Sequence, residues 1–263
     1  NGEIIESLFT GSIPTDKSKG RILQGGDWRL FDVPSPGSPN PSVGYNGFLS
    51  PPIFSIKTGF YSNPQTITLS HSNAEAKIHF TLDGSIPNES SLEYSSALTV
   101  SSNTPFRARS IQNGWMSSSV ETETYLFGAK PDIPVITLNA DPSDLFDTNS
   151  GIYALGPSAS ANFPYFGANF WQDWEKPAQF EIIDTNGQNY KANAGIKIFG
   201  GWSRGNAQKS FSLFARKKYG DSKFDYQIFP ESDVVDYESF ILRNSGNDWE
   251  QTMLRDGYII SII

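Results

Sequence analysis

A chain of 263 residues with a formal net charge of −8 and an isoelectric point near 4.8 exerts no global electrostatic pull on nucleic acid, which is therefore not an expected partner. The absence of cysteine excludes disulfides and thiolate metal sites, and leaves the cytoplasm and the exterior of a bacterium equally open. Together, 23 glycines, 17 prolines and 14% aromatic residues favour turn-rich β structure over a helical bundle.

No apolar run reaches the roughly 18 residues that a helical membrane span requires, and no charged, apolar and small-residue leader opens the chain. The sequence begins at Asn1 and stops at Ser261, Ile262 and Ile263 inside an apolar pattern. It reads as an excerpt of a longer protein, in which a removed leader would leave no trace. The pattern changes twice, which predicts three segments: 1–50, 51–128 and 129–263.

In the first, short strand-like runs at Arg21 to Leu23 and Trp28 to Val33 lead into Pro34, Pro36, Pro39 and Pro41. Missing N–H groups and fixed φ make that stretch an extended connector. The second segment alternates polar and apolar residues at 66–69 and 77–80, with turn signals at Asp83-Gly84 and Asn113-Gly114. That spacing predicts an antiparallel sandwich. The third opens with PVITLNADPSDLFDTNSGIY, passes through an aromatic stretch, and continues with strands expected at 178–184, 192–200 and 208–216. From about Asp248, Met253, Leu254, Tyr258 and Ile259 are spaced for the one long amphipathic helix.

The stretch GIKIFGGWSRGNAQKSFSLFARKKYG places Gly200, Gly201 and Gly205 between two strands, with Lys209 and Ser210 on the second. Glycines let backbone N–H groups approach an oxygen-rich ligand, and a nearby ammonium neutralises it. The loop equally serves as a permissive turn, because the Gly-Lys-Ser order of a phosphate loop is absent and a strand, not a helix, follows. Asp141, Asp144, Asp147 and Asn149 lack the remaining positions of a calcium loop. Asp141 before Pro142 reads instead as a helix N-cap, with Asp144 at the capping-box position, so no metal ligands are assigned. Phe163, Tyr165, Phe166, Phe170, Trp171 and Trp174 are expected to pack against the adjacent sheet, and Trp115 to lie at the surface, where its ring offers a sugar-stacking face. The two histidines, His71 and His79, nominate neither a zinc site nor a nucleophilic triad.

Three resemblances follow from quoted motifs. GR, GGDW and VPSPGSPN in 1–50 resemble the closing strands of lamin-tail-type domains. The run from Gly59-Phe60-Tyr61 through Ile78 to Pro87, with Tyr94 and Arg107-Ala108-Arg109, resembles the C-terminal-type domain of chitobiases and β-hexosaminidases, an accessory to catalysis. PVITL, LFD..SGIY, DWEKPAQFEI, AGIKIFGGWSR, QKSFSLFARKKYG, ILRNSGNDW and LRD resemble the CotH family, whose atypical kinase fold binds ATP and a divalent metal.

The resemblances imply a mainly β chain: an Ig-like antiparallel β-sandwich followed by a truncated α+β kinase-like domain. They imply a nucleotide-binding set of Gly200, Gly201, Ser203, Arg204 and Lys209, with Glu250 or Asp256 as the acid that holds the lysine. ATP and magnesium are implied for the full-length parent. No catalytic residue is assigned, because a base and metal-holding groups are expected downstream of Ile263, and the fragment is expected to be inactive. The association of such modules implies a bacterial secreted or surface protein acting on a protein substrate or a surface polysaccharide. The alternative is a non-catalytic carbohydrate-binding or adhesion array.

Overall fold

The computed structural model describes residues 13, 15–23, 26–185, 189–229 and 232–245. Glu250, Asp256 and the helix expected from Asp248 lie outside the described residues. The mainly β expectation holds, and α1 (Pro142–Phe146) is the single α-helix among the described residues. Among the described residues no helix is long and apolar enough to cross a membrane.

A hairpin of β1 (Ser18–Arg21) and β2 (Trp28–Phe31) opens the structure, and the proline-rich stretch follows it. The sandwich is built from β3 (Ile53–Phe54), β4 (Gly59–Tyr61), β5 (Gln65–Ile67), β6 (Leu69–Ser70), β7 (Lys77–Thr81), β8 (Leu92–Glu93), β9 (Leu98–Val100), β10 (Thr104–Ile111) and β11 (Glu121–Phe127). Five of these form one sheet in the order β4-β11-β10-β7-β8, while β3 pairs with β6 and β5 with β9. Phe54, Ile67, Leu69 and Val100 from the small pairs bury against Ile78, Phe80, Phe106, Ala108 and Tyr125 from the five-stranded sheet. This is the layer-on-layer solution for strands that are apolar on one face. One pairing departs from the antiparallel expectation: β4 runs parallel to β11, at the edge of the sheet.

The turn signals act as read. Gly84 and Gly114 have φ of +86° and +74°, and the Asp83 carboxylate accepts from the Ser85 amide and hydroxyl. These hydrogen bonds hold the Asp83 carboxyl below its usual range.

The second body is a five-stranded antiparallel sheet in the order β12-β13-β14-β15-β18, from β12 (Val135–Ala140), β13 (Lys176–Ile183), β14 (Asn189–Phe199), β15 (Ser210–Phe214) and β18 (Ser239–Leu242). The two-residue strands β16 (Phe224–Asp225) and β17 (Asp236–Tyr237) pair with each other. Ala178, Phe180 and Ile182 on β13 join Ala194, Ile196, Leu213, Phe224 and Phe240 in one core, closed over by Ile152, Ala168 and Phe170. Gln179 and Glu181, the alternate residues of β13, are also buried. Their side chains turn the other way, and Glu181 meets Thr58 of the sandwich.

Asp141 caps α1 as expected, its Oδ1 accepting from the Ser143 amide at 2.9 Å. Its Oδ2 takes the Ile86 amide, tying the cap to the sandwich. Asp144 pairs with Lys176 at 3.0 Å, rather than closing a capping box. Asp147 accepts from the Asn149 and Ser150 amides.

Candidate functional site

Three glycines lie in the loop after β14, and two of them are required by its geometry. Gly200 has φ of +115°, and a Cβ there would lie 2.6 Å from Ser203 Oγ. Gly201 precedes a single 3-10 turn, Trp202–Gly205, and has open space on its Cβ side. Gly205 packs so closely on Phe163 that a Cβ would meet the ring at 2.7 Å.

Arg204 is committed to the loop's own backbone. Its Nε donates to Gly200 O at 2.6 Å and its Nη1 to Phe170 O at 3.2 Å, while the guanidinium lies 5.5 Å from the Trp171 ring centre. Ser203 O accepts from the Asn206 amide, so Ser203 takes part in closing the turn.

Lys209 does not project from the strand into solvent. It is 8% exposed, and its Nζ donates to Arg204 O at 2.7 Å and Asn206 O at 2.8 Å. The ammonium sits 4.0 Å from the Phe170 ring centre and 5.0 Å from that of Tyr153. Its amide donates to the Tyr153 hydroxyl, which in turn donates to Ala207 O. Burial pushes Lys209 down to about 8, against the pull of two carbonyl acceptors and an aromatic face that favour the charged form. Among the described residues no carboxylate pairs with it.

The structure thus brings Gly200, Gly201, Ser203, Arg204 and Lys209 into one loop. Behind it stands Asn244, which was not singled out from the sequence. Its Nδ2 donates to Gln208 O at 2.6 Å, its amide to Ser210 Oγ, and its Oδ1 accepts from the same hydroxyl. Asn244 therefore fixes the base of the loop to the end of β18. The only sequence signal for it was its place in ILRNSGNDW.

The aromatic stretch divides. Phe170 is buried, whereas Trp174 is exposed and Phe163 and Phe166 are about half exposed, contrary to the expectation that the stretch packs inward. Both meet Trp202 edge to face, at 6.1 and 6.3 Å between ring centres. The loop tip supplies the ring against which they gather, so they cluster beside the glycines instead of under the sheet.

The loop's cations are largely satisfied by backbone carbonyls. An ammonium has three N–H groups, and two of those on Lys209 are spent on carbonyls. The described residues contain no group of His, Cys, Asp or Glu side chains that could hold a metal ion.

Two known families match parts of the chain. Residues 56–123 match the Chitobiase/beta-hexosaminidase C-terminal domain, and residues 196–263 match the CotH kinase protein family. The second match begins within β14 and takes in the glycine loop and Lys209. A search of curated proteins returned no match. The chain accordingly has the make-up of a multidomain protein, in which a chitobiase C-terminal-type module precedes a CotH-like segment.

Proposed function

We propose that the loop from Gly200 to Lys209 is one wall of a nucleotide site in an exported bacterial protein, and that the described residues bind a triphosphate without transferring it. One observation carries this reading: a desolvated ammonium beneath a glycine loop, answered by neutral carbonyls and ring faces. Such a group gains more from an incoming phosphate than an ammonium already paired with a carboxylate. Glu250 or Asp256 is the acid proposed to meet it, and magnesium would be held by groups other than the described residues. The hairpin β1–β2 is proposed as the end of a lamin-tail-type domain. A hydroxyl-bearing protein side chain is the proposed acceptor in the parent protein.

Calorimetric titration of the chain with magnesium-ATP is expected to give weak saturable binding, removed by Lys209→Met. Equal heats for the two proteins would refute the role given to Lys209.

A second reading is supported by a separate cleft. Trp115 is half-buried, not fully at the surface as expected, because Gly47 packs against its ring. With Tyr45, Arg109 and Gln112 it lines a cleft of about 710 Å³. An aromatic ring beside planar polar groups is the chemistry of carbohydrate binding. Polysaccharide retention by the wild-type chain and its loss in Trp115→Ala is the expected result on this reading. Retention that survives the substitution removes the cleft from consideration.

A further inference from the structure

The contact between the sandwich and the second sheet is polar and buried, and its hydrogen bonds do not close if every carboxyl group in it is ionised. Thr58 stands at its centre. Thr58 Oγ1 accepts from the Thr124 amide at 2.9 Å, and lies 2.9 Å from Glu123 Oε2 and 2.9 Å from Glu181 Oε1. A hydroxyl has one proton and two lone pairs. One lone pair takes the amide, and the single proton reaches only one of the two carboxyl groups. The remaining oxygen pair requires a proton from the second carboxyl group, or two oxygens bearing only lone pairs face each other 2.9 Å apart on buried side chains.

The surroundings decide which group holds that proton. Glu123 Oε1 receives Lys57 Nζ at 3.0 Å and Lys191 Nζ at 3.2 Å, and its Oε2 receives the Thr58 amide at 2.7 Å. Burial works against ionisation of Glu123, yet these partners hold its carboxyl below the usual range. Glu181 has a side chain 1% exposed, and its carboxyl accepts hydroxyl protons from Thr137, at 3.1 Å on Oε2, and from Thr124, but no N–H of the described residues lies within hydrogen-bond distance. Its one nearby ammonium, Lys191, is 3.8 Å away. Lys191 already directs its three N–H groups to Glu121 Oε1, Thr122 O and Glu123 Oε1. Burial raises the Glu181 carboxyl, and the charge on Glu123 adds to the effect.

We propose that Glu181 carries a proton in the folded chain, donated to Thr58 and passed on as the Thr58 hydroxyl bond to Glu123, and that this proton makes the junction a pH-sensitive latch. The groups facing Glu181 are Glu121, Glu123 and Tyr125 on β11, Lys57 ahead of β4 and Lys191 on β14. β12 contributes the uncharged Thr137 and Asn139, the latter donating to Thr124 Oγ1.

The two glutamates respond to pH with opposite sign. Glu181 binds its proton more tightly in the folded state than a free glutamate at 4.5, so its contribution is complete below 4.5 and is lost as pH rises through its folded value. Glu123 contributes above 4.5, and its share is lost as pH falls through its depressed value. The latch is therefore closed in mildly acidic solution and loosens on the alkaline side.

Glu181→Gln tests this directly, because its amide N–H replaces the acid O–H and cannot ionise. Urea unfolding is expected to show wild-type stability falling, relative to E181Q, as pH rises above 4.5, so that E181Q becomes the more stable protein at the upper end. Carbon-13 titration of the Glu181 carboxyl in the wild-type chain, which requires no variant to fold, is expected to report a midpoint above 4.5. Thr58→Val, lacking the bridging hydroxyl, is expected to move that midpoint. A Glu181 midpoint at or below 4.5, or a difference between wild type and E181Q that does not change with pH, would overturn the proposal.

Discussion

Replacing Glu123 with alanine is expected to lower the unfolding free energy by about 3 kcal/mol, the lower end of what loss of one partner from a buried ion pair produces. The side chain of Glu123 is 2% exposed and receives Lys57, Lys191, the Thr58 amide and the Thr58 hydroxyl. The lower end applies because Lys57 is largely exposed and Lys191 keeps Glu121 and Thr122 O. Since these groups belong to both bodies, the loss falls on their contact. Urea unfolding followed separately at Trp115 and at Trp171 is expected to split from one transition into two. A single transition at the wild-type midpoint would show that the network contributes nothing to the junction.

Lys209→Met is expected to destabilise the loop by about 2 kcal/mol, because Arg204 O and Asn206 O lose a buried donor while the aliphatic packing is kept. Hydrogen exchange is expected to accelerate in residues 200–209 and to stay unchanged in the sandwich. The pH dependence has a definite sign. With its folded value at about 8 and an unfolded value of 10.5, Lys209 binds fewer protons folded than unfolded between those limits. Its charged form opposes folding below 8, and stability gains as pH rises from about 8 to 10.5. That gain should be missing in Lys209→Met. Over the same range the wild-type lysine loses its charge, so affinity for a triphosphate should fall as pH passes 8.

The sequence revealed most where local chemistry decides the conformation. Asp83-Gly84, Asn113-Gly114 and the Asp141 cap depend on backbone preferences that a few neighbouring residues supply, and each is found where it was read. The glycine hairpin and the strand that follows it were legible for the same reason.

Side-chain placement decided by distant partners was not. Lys209 reads as a charge on a strand face, and only the folded loop, with Phe170 arriving from 39 positions earlier in the chain, makes it a buried group. Phe163 and Phe166 read as core residues because aromatic side chains favour burial, but Trp202 draws them to the surface beside the loop. The junction was wholly hidden. ETETYLF on β11 alternates as a half-solvated strand would, yet Thr122, Glu123 and Thr124 are all buried by a second sheet. Polar residues on a strand signal solvent unless the partner surface is known, and here that surface carries the matching Lys191, Glu181 and Asn139.

Amide chemical-shift mapping with magnesium-ATP tests most directly whether the loop over Lys209 forms a wall of a triphosphate site. Concentration-dependent shifts are expected at residues 198–212 in the wild-type chain, with those in the sandwich unmoved, and they are expected to disappear in Lys209→Met. Saturating nucleotide that leaves residues 198–212 unshifted would contradict that role for the loop.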